Sequence, residues 1–108
     1  MARALIHMPA TAQRGDIIEI RALIGHPMET GYRVGADGKL LARDIIRSFV
    51  CRYNGEQVFG AELHQAISAN PYIAFFTTAT ESGTLECIWQ GDNGFAHTEK
   101  ATITVSAA

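Results

Sequence analysis

Phe49-Val50-Cys51-Arg52-Tyr53-Asn54-Gly55-Glu56-Gln57-Val58-Phe59 is the stretch whose reading decides the fold class. Asn54-Gly55 supplies both positive-φ positions of a type I′ turn, and β-branched and aromatic residues flank it on each side, so the segment predicts a tight hairpin. A two-residue loop fixes register. It sets Tyr53 opposite Glu56, Arg52 opposite Gln57, Cys51 opposite Val58 and Val50 opposite Phe59, with Phe49, Cys51 and Val58 sharing the inward face.

Strand signals continue on both sides of this hairpin. Asp16 to Ile24 alternates, setting Ile18, Ile20, Ala22 and Ile24 on one face and Glu19 and Arg21 among the residues of the other. Ala4 to Met8 is a shorter strand, expected at a sheet edge, ended by Pro9 and a polar turn through Gly15. Tyr72 to Thr80 is rich in aromatics and threonines and runs into a turn at Glu81-Ser82-Gly83. Around Asp92-Asn93-Gly94, a three-residue loop with Gly94 left-handed sets Glu86 against Lys100 and Leu85 against Ala101, whereas a four-residue loop would oppose Glu86 to Glu99. The shorter loop is expected, with Leu85, Cys87 and Trp89 inward beside Ala101, Ile103 and Val105. Glu62 to Ala69 is the one helix candidate, two turns stopped by Asn70 and Pro71.

About seven short strands divided by turn chemistry predict an all-β fold, an antiparallel immunoglobulin-like β-sandwich, with a small closed barrel as the competitor. The 108 residues are expected to form one domain, 1–108, burying roughly 65% of the unfolded surface without staples. A net charge of -2, with acids and bases interspersed, offers no basic stripe for nucleic acid and no polybasic run for anionic lipid. No apolar run approaches the ~20 residues of a membrane-spanning helix, and Met1 to Pro9 is too short and polar for a secretion signal, which by itself points to the cytoplasm.

Chemistry-bearing residues are few. His7, His26, His64 and His97 show no metal-ligand spacing with one another or with Cys51 and Cys87. A cupredoxin-like copper site would want Cys, His and Met clustered late in the chain, but Ile88, Trp89 and Gln90 follow Cys87. Ser48, Ser68, Ser82 and Ser106 lack an elbow motif, and there is no glycine-rich phosphate cradle. Cys51 and Cys87 fall in mid-strand on apolar faces, where thiols are inert. Both face inward on strands that could belong to opposing sheets near Trp89, so an inter-sheet disulfide is one reading. Two buried thiols that never approach bonding distance are the other, and the favoured one, since a domain of this length needs no staple. No catalytic group, metal or cofactor is expected.

His26-Pro27-Met28-Glu29-Thr30-Gly31-Tyr32-Arg33 repeats with neither a helical nor a strand period, so its residue types answer to loop geometry or to a partner. Pro27 pushes His26 toward extended conformations, and Gly31 can take positive φ.

This loop, preceded by Ile20-Arg21-Ala22-Leu23-Ile24 and followed by Cys51-Arg52-Tyr53-Asn54-Gly55-Glu56, Asn70-Pro71-Tyr72 and Ala79-Thr80-Glu81-Ser82-Gly83-Thr84-Leu85, resembles the SoxZ family from about residue 3 to residue 105. SoxZ chains are small subunits of the sulfur-oxidation carrier complex of thiosulfate oxidation. The resemblance implies a non-catalytic role beside SoxY, whose flexible Gly-Gly-Cys-Gly-Gly arm carries the sulfur substrate covalently between enzymes. This chain ends Thr104-Val105-Ser106-Ala107-Ala108, so neither Cys51 nor Cys87 inherits the carrier role.

The resemblance further implies the periplasm, reached without a signal of its own by export as a folded complex with SoxY. Cytoplasmic folding would leave both cysteines reduced at first, adding to the case against an essential disulfide. The expected partners are SoxY in a heterodimer and, transiently, other Sox enzymes; expressed alone, the chain is either a monomer or a self-paired oligomer. His26, Pro27, Met28, Glu29, Thr30, Gly31, Tyr32 and Arg33 are the candidate partner-binding residues. Two alternatives remain: a sandwich-fold metal or redox protein using His26, and a self-associating scaffold module.

Overall fold

In the computed structural model, which describes residues 3–107, the chain is a two-layer β-sandwich of immunoglobulin-like build measuring 61 × 20 × 18 Å. Met1, Ala2 and Ala108, at the ends of the expected domain and signal-free start, lie outside the described residues. Among the described residues eight strands form: β1 (Ala4–His7), β2 (Thr11–Gln13), β3 (Ile17–Ile24), β4 (Ile46–Tyr53), β5 (Glu56–Glu62), β6 (Tyr72–Thr78), β7 (Gly83–Gly91) and β8 (Ala96–Ser106). One sheet has the order β1-β3-β6 and the other β2-β8-β7-β4-β5. β1 is an edge strand, as its short alternating run predicts.

The count exceeds the expected seven by β2, which pairs in parallel with β8, so the sandwich is not wholly antiparallel. The helix expected over Glu62 to Ala69 does not form. Glu62 closes β5, the Leu63 amide donates to the Arg47 carbonyl, and only His64 to Ile67 closes a single turn. Leu63 is buried while Ile67 is exposed, so the segment has no common apolar face to offset the cost of nucleating a short helix.

Both hairpins follow from their turn residues. Asn54 (φ 51°) and Gly55 (φ 86°) make the predicted turn, with Tyr53 opposite Glu56 and Arg52 opposite Gln57. Beyond these pairs the register departs from expectation. A bulge leaves Val58 unpaired and sets Cys51 opposite Phe59 and Val50 opposite Gly60. The shift turns Phe59 inward, where its ring stacks on Phe75 of the other sheet at 4.4 Å and 10°. This aromatic pair, with Phe75 buried and Phe59 partly so, outweighs the one lost ladder position. At the second hairpin Asn93 (φ 59°) and Gly94 (φ 75°) give the three-residue loop, pairing Glu86 with Lys100 and Leu85 with Ala101 as expected.

The core lies between the sheets. Ile18, Ile20, Ala22 and Ile24 of β3 face Phe49, Cys51, Leu85, Cys87 and Trp89. Tyr53 ties the far end: its hydroxyl donates to the Glu81 carbonyl and accepts from the Thr80 and Glu81 amides, each at 3.3 Å. The two outer faces differ. Strands β7 and β8 of the larger sheet turn Thr84, Glu86, Thr98, Lys100 and Thr102 outward around Ile88, whereas the smaller sheet turns out Leu5, Ile17, Leu23, Tyr72 and Phe76 around Glu19 and Arg21.

Candidate functional site

Between β3 and β4 the chain makes a long excursion, and the expected partner loop is its first part. His26 begins it, held at both backbone groups: its amide donates to Asn70 Oδ1 at 3.0 Å and its carbonyl accepts from the Asn70 amide at 2.7 Å. The imidazole turns inward, edge-on to Phe95 at 4.8 Å. His26 Nδ1 accepts from the Met28 amide at 3.0 Å, which puts the ring proton on Nε2, 3.8 Å from Asp44 Oδ1. Met28, at φ 51°, is also turned inward, and its thioether sulfur accepts from the Ile46 amide at 3.2 Å.

The expectation that His26 and Met28 present themselves to a partner is therefore corrected. They are 6% and 4% exposed, because the non-repeating backbone leaves amides that these two side chains satisfy. Arg33 reaches back to Glu29, with Nη2 2.6 Å and Nε 3.0 Å from the carboxylate, and this pairing holds the Glu29 carboxyl below its ordinary range. Pro27, Tyr32 and Arg33 stay exposed, while Glu29, Thr30 and Gly31 are partly covered. Farther out, Val34 bridges to Leu40 in a small arm.

Asp92, in the β7–β8 turn, fastens the return of this excursion. Its carboxylate accepts from Arg43 Nε at 2.8 Å and Nη2 at 2.9 Å and from the Ile45 amide at 3.2 Å, and Arg47 Nε lies 3.2 Å away. The Arg43 guanidinium, with the amide and Arg47, holds the Asp92 carboxyl below the usual aspartate range. The unfolded chain thus takes up a proton more readily than the folded one. Stability from this group is full above an ordinary aspartate pKa of about 3.9 and is lost as pH falls through the lowered folded value. Asp92→Asn is expected to flatten that acid limb, read as thermal midpoint against pH; an unchanged limb would mean other carboxylates set it.

Sequence reading missed Asp92 because it served there only as a turn residue, and its partners lie far off in the chain. Arg43, 49 residues before Asp92 in the chain, and Arg47 share no local motif with it. These arginines, with Glu62, His64, Gln65 and Gln90, line a hollow of about 420 Å³. Its guanidiniums already face Asp92, so it holds no uncommitted cationic clamp.

Cys51 and Cys87 occupy neighbouring strands of one sheet and stand directly opposite each other, not on opposing sheets as the sequence suggested. Opposed positions bring Cα atoms to ~4.5–5.5 Å, so the distance expected to keep the sulfurs apart is absent. Both are free thiols at 0% exposure. The hydrogen bond with Cys51, then burial, pushes the Cys87 thiol far up, away from the reactive thiolate. Among the described residues, no three His, Cys, Asp or Glu side chains converge as a metal site would require. His26, the histidine of the metal alternative, already uses Nδ1 on the Met28 amide.

The sequence matches the family described as "Sulphur oxidation protein SoxZ" over residues 6–102, most of its length. The chain belongs to the SoxZ family. Membership makes it a protein of the Sox sulfur-oxidation system. No match to a curated protein reaches significance. Among solved structures, a superoxide reductase (neelaredoxin) from Ignicoccus hospitalis is similar at a TM-score of 0.73 and 18% identity, covering 95% of this chain and 80% of that one. The sulfur carrier protein SoxY from Chlorobium limicola f thiosulfatophilum is similar at a TM-score of 0.65 and 11% identity, covering 95% of this SoxZ chain and 78% of SoxY. At these identities the likeness is one of fold.

Proposed function

We propose that this SoxZ-family chain is the non-catalytic half of a heterodimer with a SoxY-like carrier, supporting the chain whose cysteine holds the sulfur intermediate. The complex works in the periplasm, to which this chain travels folded and bound to its partner. The observation that carries this reading is the burial of both thiols. A sulfur carrier needs a thiolate that can be presented to several enzymes in turn, and Cys51 and Cys87 are sealed inside the sandwich with no route out short of unfolding. Their burial supports placing the carrying cysteine on the partner chain. Pro27, Tyr32 and Arg33, the exposed members of the loop, form a docking rim for visiting Sox enzymes.

Co-expression with a SoxY-like carrier tests the reading. A 1:1 complex is expected, and after turnover with thiosulfate, mass spectrometry should find sulfur adducts on the carrier and none on this chain. Exclusive homodimers, or an adduct on Cys51 or Cys87, would overturn it.

A further inference from the structure

Cys51 of β4 and Cys87 of β7 face each other within an unbroken run of pairs, with Val50 opposite Ile88 on one side and Arg52 opposite Glu86 on the other. Opposed residues of an antiparallel pair point to the same face, which puts both sulfurs in the core beside Phe49 and Trp89. The strands are held on their far sides as well, β4 by β5 and β7 by β8, so the two positions cannot drift apart. Cα atoms at ~4.5–5.5 Å fall inside the ~4.4–6.8 Å that a disulfide spans. The Cβ atoms have only about 1 Å to close to reach bridging distance.

In this structure the two are nevertheless free thiols, each 0% exposed. Thiol–disulfide exchange needs a thiolate and a path for the incoming disulfide. The folded sandwich offers neither. The hydrogen bond with Cys51, burial and the nearby carboxylates of Glu99 and Glu86 all disfavour the charged form of Cys87, and the core admits no reagent to the sulfurs. A chain in which β4 and β7 have yet to meet offers both.

We propose that Cys51 and Cys87 are a latent cross-strand disulfide site, closed by a disulfide oxidant only while the chain is unfolded and afterwards held in whichever state the chain folded. Closure takes two exchanges. One cysteine thiolate attacks the oxidant's disulfide, forming a mixed disulfide as half of the oxidant leaves as a thiolate. The other cysteine's thiolate then attacks the protein sulfur of that intermediate, forming the Cys51–Cys87 bond and expelling the second half. The pair loses two electrons and two protons, and the oxidant is reduced to two thiols. The bridge ties two central strands across the stretch that carries β5 and β6, so it restricts the unfolded chain and stabilises the folded one. The pair thus records where folding took place: a dithiol among reductants, a disulfide among oxidants. This inference goes beyond the supporting role proposed above and does not depend on it.

The full-length chain, purified with both thiols reduced, is treated with oxidised glutathione in two ways: folded in buffer, and during refolding from urea. Alkylation in denaturant followed by mass spectrometry counts the free thiols. The folded sample is expected to keep both for hours. The refolded sample is expected to lose both to a Cys51–Cys87 bridge located by peptide mapping, with a thermal midpoint about 10 °C above that of the dithiol form. Cys87→Ala, refolded in the same way, should show no such rise. Should unfolding in urea prove irreversible, the chain is exported unfolded to a bacterial periplasm behind an added secretion signal, where it is expected to arrive bridged, while cytoplasmic expression yields the dithiol. Rapid loss of both thiols from the folded sample overturns the sealed pair. Two free thiols, glutathione adducts or interchain dimers after folding with the oxidant, or a bridged chain that melts no higher than the dithiol, overturn the disulfide site.

Discussion

Trp89→Ala is expected to lower the free energy of unfolding by about 3–5 kcal/mol, a large share of the ~5–15 kcal/mol that holds a domain of this size together. The indole is 0% exposed at the middle of the five-stranded sheet, opposite Phe49 on one side and His97 on the other. Its ring lies 5.2 Å from Phe49 at 52° and 6.0 Å from His97 at 48°. Phe49 in turn touches Phe59 and Phe75, so the indole supports the aromatic cluster that joins the layers.

The cost is high because little can move into the space. The flanking strands are tied by ladders on both sides, and Gly91 sits so close that a Cβ there would lie 2.4 Å from the Ile45 carbonyl oxygen. A cavity that cannot collapse carries its full penalty. Urea unfolding followed by circular dichroism is the measurement, since the chain's one tryptophan is the residue removed. A loss below about 1 kcal/mol would mean that the sheets close over the gap.

What the sequence made legible was local. Asn54-Gly55 and Asp92-Asn93-Gly94 specify their turns through backbone conformation, so the pairs next to each loop came out as read. The bulge at Val58 did not, because it is decided by Phe75 on a distant strand. Thr11-Ala12-Gln13 carries no strand pattern of its own and is ordered by pairing with the end of β8. The candidate site divides in the same way. His26 and Met28 read as surface residues because periodicity is blind to hydrogen bonds with Asn70 and Ile46. The outer face of β3 carries both signals: Ile17 and Leu23 share a parity with Glu19 and Arg21, and the charged pair is the mark of a solvated face.

His26→Ala is expected to cost about 2–4 kcal/mol, which makes the loop's first residue a structural one. Two losses combine. The Met28 amide, buried and pointing at Nδ1, is left without an acceptor, and the ring's contact with Phe95 becomes a gap. Met28 adds to the effect, because a non-glycine residue at φ 51° stays there only while its surroundings hold it. Without His26, the hold on Met28 falls to its core packing and the bond from the Ile46 amide to its sulfur, and the start of β4 loosens. His26→Asn separates the two losses. A carboxamide oxygen can accept from the amide two residues on, as asparagine does in turns, so this variant should recover the hydrogen bond and lose only the packing. Its destabilisation should be about half that of alanine, read by urea unfolding of both variants beside the wild type. Wild-type stability in His26→Ala would mean that the imidazole serves a partner and not the loop, and equal losses in the two variants would assign the whole effect to the contact with Phe95.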